Sequence, residues 1–164
     1  MRVFGVTGWK NSGKTHLMER LVAEITGRGF SVSTVKHAHH ATEIDHPGRD
    51  SFRHREAGAR EVIVASPVRW ALMHELRGTE EPPLTELLAK LSPVDLVLVE
   101  GYKRESHPKV EAHRAATGRP LLAPDNPSVR AVASDTAHPG LTLPVHDLDD
   151  TTAIADFILR EVGL

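Results

Sequence analysis

The sequence has no cysteine, no long apolar run and no excess of positive charge. With no cysteine among its 164 residues, the chain can form neither disulfides nor thiolate metal sites, and we expect it to work in the cytoplasm. No apolar run approaches the roughly 20 residues of a membrane helix, so no membrane partner is expected. A net charge of -2 argues against a nucleic-acid partner, because general nucleic-acid binders normally carry a basic face. A strand is predicted directly after Met1, which leaves no room for a signal peptide.

Strand and helix patterns alternate along the chain. Leu17, Leu21 and Ile25 recur at intervals of four and predict a helix from Lys14 to about Arg28. The run VDLVLV at 94–99 is almost continuously apolar, which is typical of a strand covered on both faces of a parallel sheet. Further strands are predicted at 2–7, 31–36, 61–65, 68–76, 109–113 and 129–134, and further helices at 50–58, 84–91 and 150–162.

This order of elements predicts an α/β fold with three layers and a mostly parallel sheet. The strands at 61–65 and 68–76 are separated by Ser66-Pro67 and predict an added β-hairpin. Neither a repeat nor a linker divides the sequence, and its length suits one domain, so a single domain is expected over 1–164.

The stretch GWKNSGKT at 8–15 fits the phosphate-loop pattern G-x-x-x-x-G-K-S/T, with Gly8, Gly13, Lys14 and Thr15 in the fixed places. The glycines allow backbone conformations in which successive N–H groups surround an anion, and the helix that follows adds its positive end. Lys14 is expected to reach the β- and γ-phosphates and Thr15 to ligate Mg²⁺. Because the pattern follows a predicted strand and opens a predicted helix, it predicts a nucleoside-triphosphate site on a P-loop NTPase-like fold.

An acid follows the buried strand 94–99. Glu100 at the carboxyl end of that strand is expected beside the phosphate loop, where a carboxylate holds Mg²⁺ directly or through water. The usual acid here is aspartate, and the longer arm of Glu100 favours a water-mediated contact or a role near the γ-phosphate. The alternative is a solvated carboxylate at a strand end. Lys14 and Glu100 are the predicted catalytic residues.

The segment from His37 to Arg49 is polar and has three histidines between positions 37 and 40. Their spacing fits neither a helical metal pair nor a zinc finger, which favours a polar loop over a transition-metal site. A loop at this edge of the sheet contacts γ-phosphate, Mg²⁺ or an acceptor. Asp45 and Asp50 are therefore predicted to contact magnesium or substrate. The predicted metal ligands are Thr15, Asp45, Asp50 and Glu100.

The chain resembles the molybdopterin-guanine dinucleotide biosynthesis protein B (MobB) family in three stretches that occur in order: GWKNSGKT, TVKHAHHATEIDHPGRDSFRHREAGA and DLVLVEGYK. The resemblance implies a GTP-binding, Mg²⁺-dependent protein with weak GTPase activity that forms a homodimer. It also implies a role beside a separate nucleotidyltransferase, in attaching GMP to molybdopterin to form molybdopterin guanine dinucleotide.

Recognition of the base has one candidate residue. Asp135 follows the predicted strand 129–134, and an aspartate there accepts hydrogen bonds from the guanine N1–H and amino groups; the alternatives are a turn residue or a helix cap. Trp9 is expected either to stack on a ligand or to cover the edge of the sheet. The predicted nucleotide-binding residues are Gly8, Trp9, Lys10, Asn11, Ser12, Gly13, Lys14, Thr15, His16 and Asp135.

Other functions fit the residues as well. A small-molecule kinase would use the same loop, with Asp45 or Asp50 as base, and a nucleotide-regulated adapter or a metal-delivery GTPase are further alternatives. Slow hydrolysis is expected because the loop carries no arginine and the nearest basic cluster, Arg49 to Arg55, lies beyond the histidine-rich segment. The exposed edges of the hairpin favour pairing with a second copy.

Overall fold

The computed structural model describes residues 1–38 and 44–164, which form eight strands and four α-helices. The strands are β1 (Arg2–Thr7), β2 (Val32–Lys36), β3 (Glu61–Ala65), β4 (Trp70–His74), β5 (Leu96–Glu100), β6 (Lys109–His113), β7 (Val129–Ser134) and β8 (Val145–Asp147). The helices are α1 (Lys14–Gly27), α2 (Asp50–Glu56), α3 (Leu84–Leu88) and α4 (Thr151–Val162), with short 3-10 turns at Ala115–Thr117 and Ala123–Asp125.

A six-stranded parallel sheet forms the centre of the larger of two compact parts, which consists of Met1–His37 and Leu91–Leu164. The strand order is β2-β5-β1-β6-β7-β8. In this register Val6 lies opposite Glu100, and Thr7 lies opposite Glu111. The carboxyl ends of β1 and its two neighbours therefore meet at one edge of the sheet, where ligands bind in open α/β sheets.

Helices α1 and α4 cover one face of this sheet. The periodic apolar residues of α1 and α4 pack on the strands and against each other, and full burial of each such side chain stabilises the fold by about 1.5–3 kcal/mol. Asp150 caps the start of α4, because its carboxylate accepts a hydrogen bond from Ala153 N at 2.9 Å. The main core residues of this face are Phe4, Val6, Leu17, Leu21, Ile25, Leu96, Leu98, Ile154 and Ile158.

The opposite face of β6 presents a row of buried polar side chains to the irregular segments on either side of this strand, 102–108 and 114–128. Lys109 Nζ donates to the Glu105 carbonyl and, at 2.8 Å, to Ser128 Oγ. The Glu111 carboxylate accepts hydrogen bonds from the backbone N–H groups of Leu122 and Ala123. These bonds satisfy backbone groups that have no sheet partner, so the buried charges hold an irregular segment in a defined place.

Ala38–Lys90 forms the second, smaller compact part. It contains the antiparallel hairpin β3–β4, in which Ile63 lies opposite Leu72 and Val62 opposite Met73. Val62 and Met73 are buried, whereas Ile63 and Leu72, on the opposite face of the hairpin, are exposed.

The predicted α/β fold, with a mostly parallel P-loop NTPase-like sheet and an added hairpin, is confirmed. The predicted strands and helices are present with shifts of a few residues at their ends, and β8 is an additional strand that the sequence did not predict. The single domain over 1–164 stays a prediction. Among the described residues, no helix is long and apolar enough to cross a bilayer.

Candidate functional site

The predicted phosphate loop lies between the end of β1 and the start of α1, as the sequence indicates. Gly8 has φ +143°, and a Cβ on it would lie 2.3 Å from the Ala112 carbonyl oxygen and 2.6 Å from Ser12 Oγ. Only glycine fits there, because the other residues rarely adopt this conformation and have no room for a side chain. The Ser12 hydroxyl is buried and has no hydrogen-bond partner within the described residues. A tight loop with a buried hydroxyl that is available to donate a hydrogen bond is suited to binding an anion.

Thr15, Glu100 and Lys36 lie together at the carboxyl ends of β5 and β2. Thr15 Oγ1 donates to Glu100 Oε1 at 3.2 Å, and Lys36 Nζ lies 3.6 Å from the same oxygen. The side chain of Glu100 is only 12% exposed, which is unusual for a carboxylate at a solvated strand end. A hydroxyl next to a carboxylate is a donor set that suits Mg²⁺, which binds through a few oxygens and keeps several waters.

Lys14 lies over the loop from which it extends. Its ammonium donates to the Trp9 carbonyl at 2.7 Å. Burial lowers the pKa of Lys14, Glu100 raises it, and the charges of Lys103 and Lys36 lower it further. The ammonium thus stands among other cations, and an anion bound in the loop would relieve their mutual repulsion.

Trp9 is already engaged by the protein. Its indole N–H donates to the Pro120 carbonyl at 2.7 Å, and Lys103 Nζ lies over its ring at 4.2 Å from the centroid. The Arg119 guanidinium also lies over the ring, at 5.5 Å. These contacts link the phosphate loop to the irregular segments 102–108 and 114–128, which the buried polar side chains of β6 hold against the sheet.

Asp135 lies beside Arg114 at the carboxyl ends of β6 and β7. Its Oδ1 accepts a hydrogen bond from Ala115 N at 2.8 Å, and its Oδ2 lies 3.9 Å from Arg114 Nη1. The first contact is of the kind expected for a turn residue, and base recognition by Asp135 stays a prediction. The sequence predicted Arg49 to Arg55 as the nearest basic cluster and did not point to Arg114, whose Nε lies 3.1 Å from the place where a Cβ on Gly13 would be.

Two predicted metal ligands belong to the smaller part of the chain. Asp45 and Asp50 belong to the smaller part, where they lie 3.8 Å from Arg55 and from Arg53, respectively. Their assignment to magnesium stays a prediction. Outside residues 39–43, no three acidic or histidine side chains are grouped as a metal site.

The other predicted loop residues show few contacts to the cluster. Lys10, Asn11 and His16 are exposed, and His16 lies 3.6 Å from Glu19. The ring of His37 stacks on Tyr102 with centroids 4.5 Å apart, whereas His39 and His40 lie outside the described residues.

A groove of about 460 Å³ opens beside the Thr15–Glu100 pair. It runs between α1 and β2, with apolar walls from Met18 and Val22 and with Lys36 and Glu100 at its polar end.

Sequence reasoning missed the cations that surround the loop: Lys103, Arg114 and Arg119. Lys103 follows Glu100 closely and Arg114 directly follows β6, and carboxyl ends of parallel strands share one edge. Their positions after strands were the available signal. Arg119 lies in the irregular segment 114–128, so no strand or helix pattern in the sequence predicted its position.

Known proteins match the chain in sequence and in fold. A family model for MobB, molybdopterin guanine dinucleotide synthesis protein B, matches residues 3–135. The molybdopterin-guanine dinucleotide biosynthesis adapter protein of Haemophilus influenzae is 41% identical over 160 residues, covering 95% of this chain and 86% of that protein. The protein of the same name from Escherichia coli is 40% identical over 155 residues, which cover 93% of this chain and 88% of that protein.

A solved structure matches at the level of the whole chain. The crystal structure of a MobB protein homolog from Bacillus stearothermophilus superposes with a TM-score of 0.71 at 32% identity, covering 99% of each chain. The extent of the family match and the identity to these relatives show that the chain belongs to the MobB family.

Proposed function

We propose that the protein binds GTP with Mg²⁺ in the phosphate loop and acts as an accessory protein in attaching GMP to molybdopterin, which forms molybdopterin guanine dinucleotide. The observation that carries the nucleotide site is the loop 8–15 between β1 and α1, with Thr15 bonded to Glu100 at 3.2 Å. The relatives named above, which are adapter proteins of molybdopterin-guanine dinucleotide biosynthesis, support the pathway. The expected partner is the nucleotidyltransferase that attaches GMP to molybdopterin.

Each residue of the cluster has a distinct task in this proposal. The loop backbone cradles the phosphates and Lys14 neutralises the β- and γ-phosphates, for which it leaves the Trp9 carbonyl. Thr15 and Glu100 would hold the metal, which would supply positive charge to neutralise the phosphates. Lys36 is placed to neutralise either Glu100 or the γ-phosphate.

We propose that hydrolysis is slow in the isolated protein. Fast hydrolysis needs a group that orients the attacking water as well as a cation on the developing charge, and an arginine finger alone contributes about 10³- to 10⁵-fold. Glu100 accepts a hydrogen bond from Thr15 and lies beside Lys36, so it belongs to the proposed metal site and is not placed to orient the attacking water. Arg114 lies at Gly13, which serves the α- and β-phosphates rather than the γ-phosphate. We expect turnover below about one per second.

Asp135 is the proposed reader of the guanine base. Its Oδ1 is engaged by Ala115 N, and a carboxylate has further lone pairs for the base. In Asp135→Asn the amide oxygen can still bond Ala115 N, so the turn is kept while the acceptor for the guanine N1–H is lost. We expect the ratio of GTP to ATP affinity to fall at least tenfold. An unchanged ratio would contradict base recognition by Asp135.

A second copy of the chain is the proposed partner of the hairpin. Ile63 and Leu72 lie opposite each other, and Trp70 belongs to the same face; their exposed fractions are 64%, 44% and 68%. An apolar patch of this kind is typical of an association surface.

Calorimetric titration with GTP and ATP, with Mg²⁺ or EDTA, tests the nucleotide site. Lys14→Ala should reduce GTP affinity at least 100-fold while the fold is retained, since Lys14 is not a core residue. Lys90→Ala, which removes the same charge from the smaller part, should bind normally. Near-normal affinity in Lys14→Ala would contradict the phosphate-loop assignment.

Product analysis with GTP and molybdopterin separates the alternatives. Slow release of free phosphate is the expected result. A new phosphorylated product would instead favour a kinase whose acceptor lies in the groove beside Glu100.

A further inference from the structure

Arg114 is held against the phosphate loop by the topology of the sheet. It directly follows β6, whose neighbour on one side is β1, and the two strands run parallel. Its Nε and Nη2 lie 3.1 and 3.6 Å from the position of a Cβ on Gly13. Gly13 itself has φ +91° and caps the start of α1. The guanidinium thus lies beside the first N–H groups of a 14-residue helix.

This is an unfavourable place for a cation in the absence of a ligand. The N-terminus of a helix carries a partial positive charge, which disfavours a nearby cation by about 0.3–1 kcal/mol. The described carboxylate that pairs with Arg114 is Asp135 at 3.9 Å, and this pair is more than a third exposed on both sides, so it offsets little.

We propose that Arg114 binds the α- and β-phosphates of the nucleotide, from the side of the loop opposite Glu100. An anion between the guanidinium and the start of α1 converts the repulsion into two attractions. The planar guanidinium donates paired hydrogen bonds to phosphate oxygens, which a lysine cannot reproduce. Lys14 serves the β- and γ-phosphates and Thr15 the metal, whereas Arg114 serves only the part that GTP and GDP share.

Asp135 is the positioning residue for Arg114. By accepting a hydrogen bond from Ala115 N, it fixes the turn that begins directly after Arg114. Its second oxygen then lies on the guanidinium side, 3.9 Å from Arg114 Nη1. This inference rests on the proposed nucleotide site and adds a residue that the phosphate-loop pattern does not contain.

Calorimetric titration of GTP and GDP against four proteins tests the inference: wild type, Arg114→Ala, Arg114→Lys and Arg130→Ala. Arg130 is exposed on β7 and is the matched control for loss of one positive charge from the same sheet. Arg114→Ala should weaken GTP and GDP by a similar factor, about 10- to 100-fold, the size of a charge-assisted bond pair. Arg114→Lys should fall between wild type and alanine, and Arg130→Ala should stay within twofold of wild type.

Two results would overturn the assignment: unchanged affinity in Arg114→Ala, or loss of GTP binding with GDP binding intact, which would place Arg114 on the γ-phosphate. Thermal unfolding without nucleotide separates binding from folding, and similar midpoints are expected for Arg114→Ala and wild type. If Arg114→Ala does not fold, the comparison of GTP and GDP in Arg114→Lys decides. If wild type binds GTP in a Lys14-dependent manner and the Arg114 variants bind equally well, this inference fails and the proposed function stands.

Discussion

Gly8→Ala is expected to damage both the stability of the protein and its phosphate loop. A Cβ at this position would lie 2.3 Å from the Ala112 carbonyl oxygen, which belongs to the backbone of β6 and cannot rotate away. A positive φ disfavours alanine by about 1–2 kcal/mol, and forcing a methyl into a packed site adds about 1–3 kcal/mol. The expected loss in unfolding free energy is therefore about 2–5 kcal/mol, a large fraction of the 5–15 kcal/mol of an ordinary domain.

Gly29→Ala is the matched control. Gly29 has φ +93°, but a Cβ on it would have no atom within 4 Å. This variant should lose only the conformational contribution, about 1–2 kcal/mol, and should bind nucleotide normally. In Gly8→Ala, the displaced loop should lower nucleotide affinity, because its backbone N–H groups would no longer surround the phosphates.

Urea unfolding gives the two stabilities and calorimetric titration gives the affinities. The difference in unfolding free energy between the two variants isolates the clash with Ala112. Equal stabilities, together with normal GTP binding in Gly8→Ala, would refute the close approach of the loop to β6.

Three further predictions concern the metal, the pH dependence and the dimer. Thr15→Val and Glu100→Gln should each raise the Mg²⁺ concentration for half-maximal GTP binding about tenfold. Their affinity for GTP in EDTA should change less than twofold. An unchanged Mg²⁺ titration in either variant would show that its residue does not belong to the metal site. Burial, followed by the charge of the nearby lysine on β6, lowers the pKa of His107 from 6.5 to about 4. Because the unfolded chain binds this proton more readily, stability should be full above pH 6.5 and fall by about 3 kcal/mol as the pH decreases to 4; urea unfolding should show a flatter profile in His107→Gln, and an equally steep profile would contradict the assignment. Leu72→Lys should convert a dimer into a monomer by light scattering at micromolar concentration, whereas Glu80→Lys should not; a monomeric wild type would rule out the dimer.

The central elements could be predicted from the sequence because local pattern and tertiary role agree there. The apolar run of β5 is buried on both faces of the sheet. Leu17, Leu21 and Ile25, which are four residues apart, lie on the buried face of α1. The phosphate loop was predictable because its conformation depends on glycines at fixed positions, whatever the rest of the fold.

The elements that sequence reasoning missed depend on distant partners. β6 gave a weak signal because its residues Lys109, Glu111 and His113 are polar and yet buried. Their burial is explained by the irregular segments on either side of the strand, 102–108 and 114–128, which bind these side chains. β8 is three residues long and half-exposed, too short for a periodic pattern. Arg114 reaches the loop only through the parallel pairing of β1 and β6, which local sequence does not encode.

The most direct test of the account is the rate at which the nucleotidyltransferase attaches GMP to molybdopterin at limiting GTP. We expect wild-type protein to increase this rate, and Lys14→Ala, at the same concentration and with the same partner binding, to leave it at the basal value. Stimulation by Lys14→Ala equal to that by wild type would contradict a role for bound GTP, and no stimulation by wild type would contradict the accessory function itself.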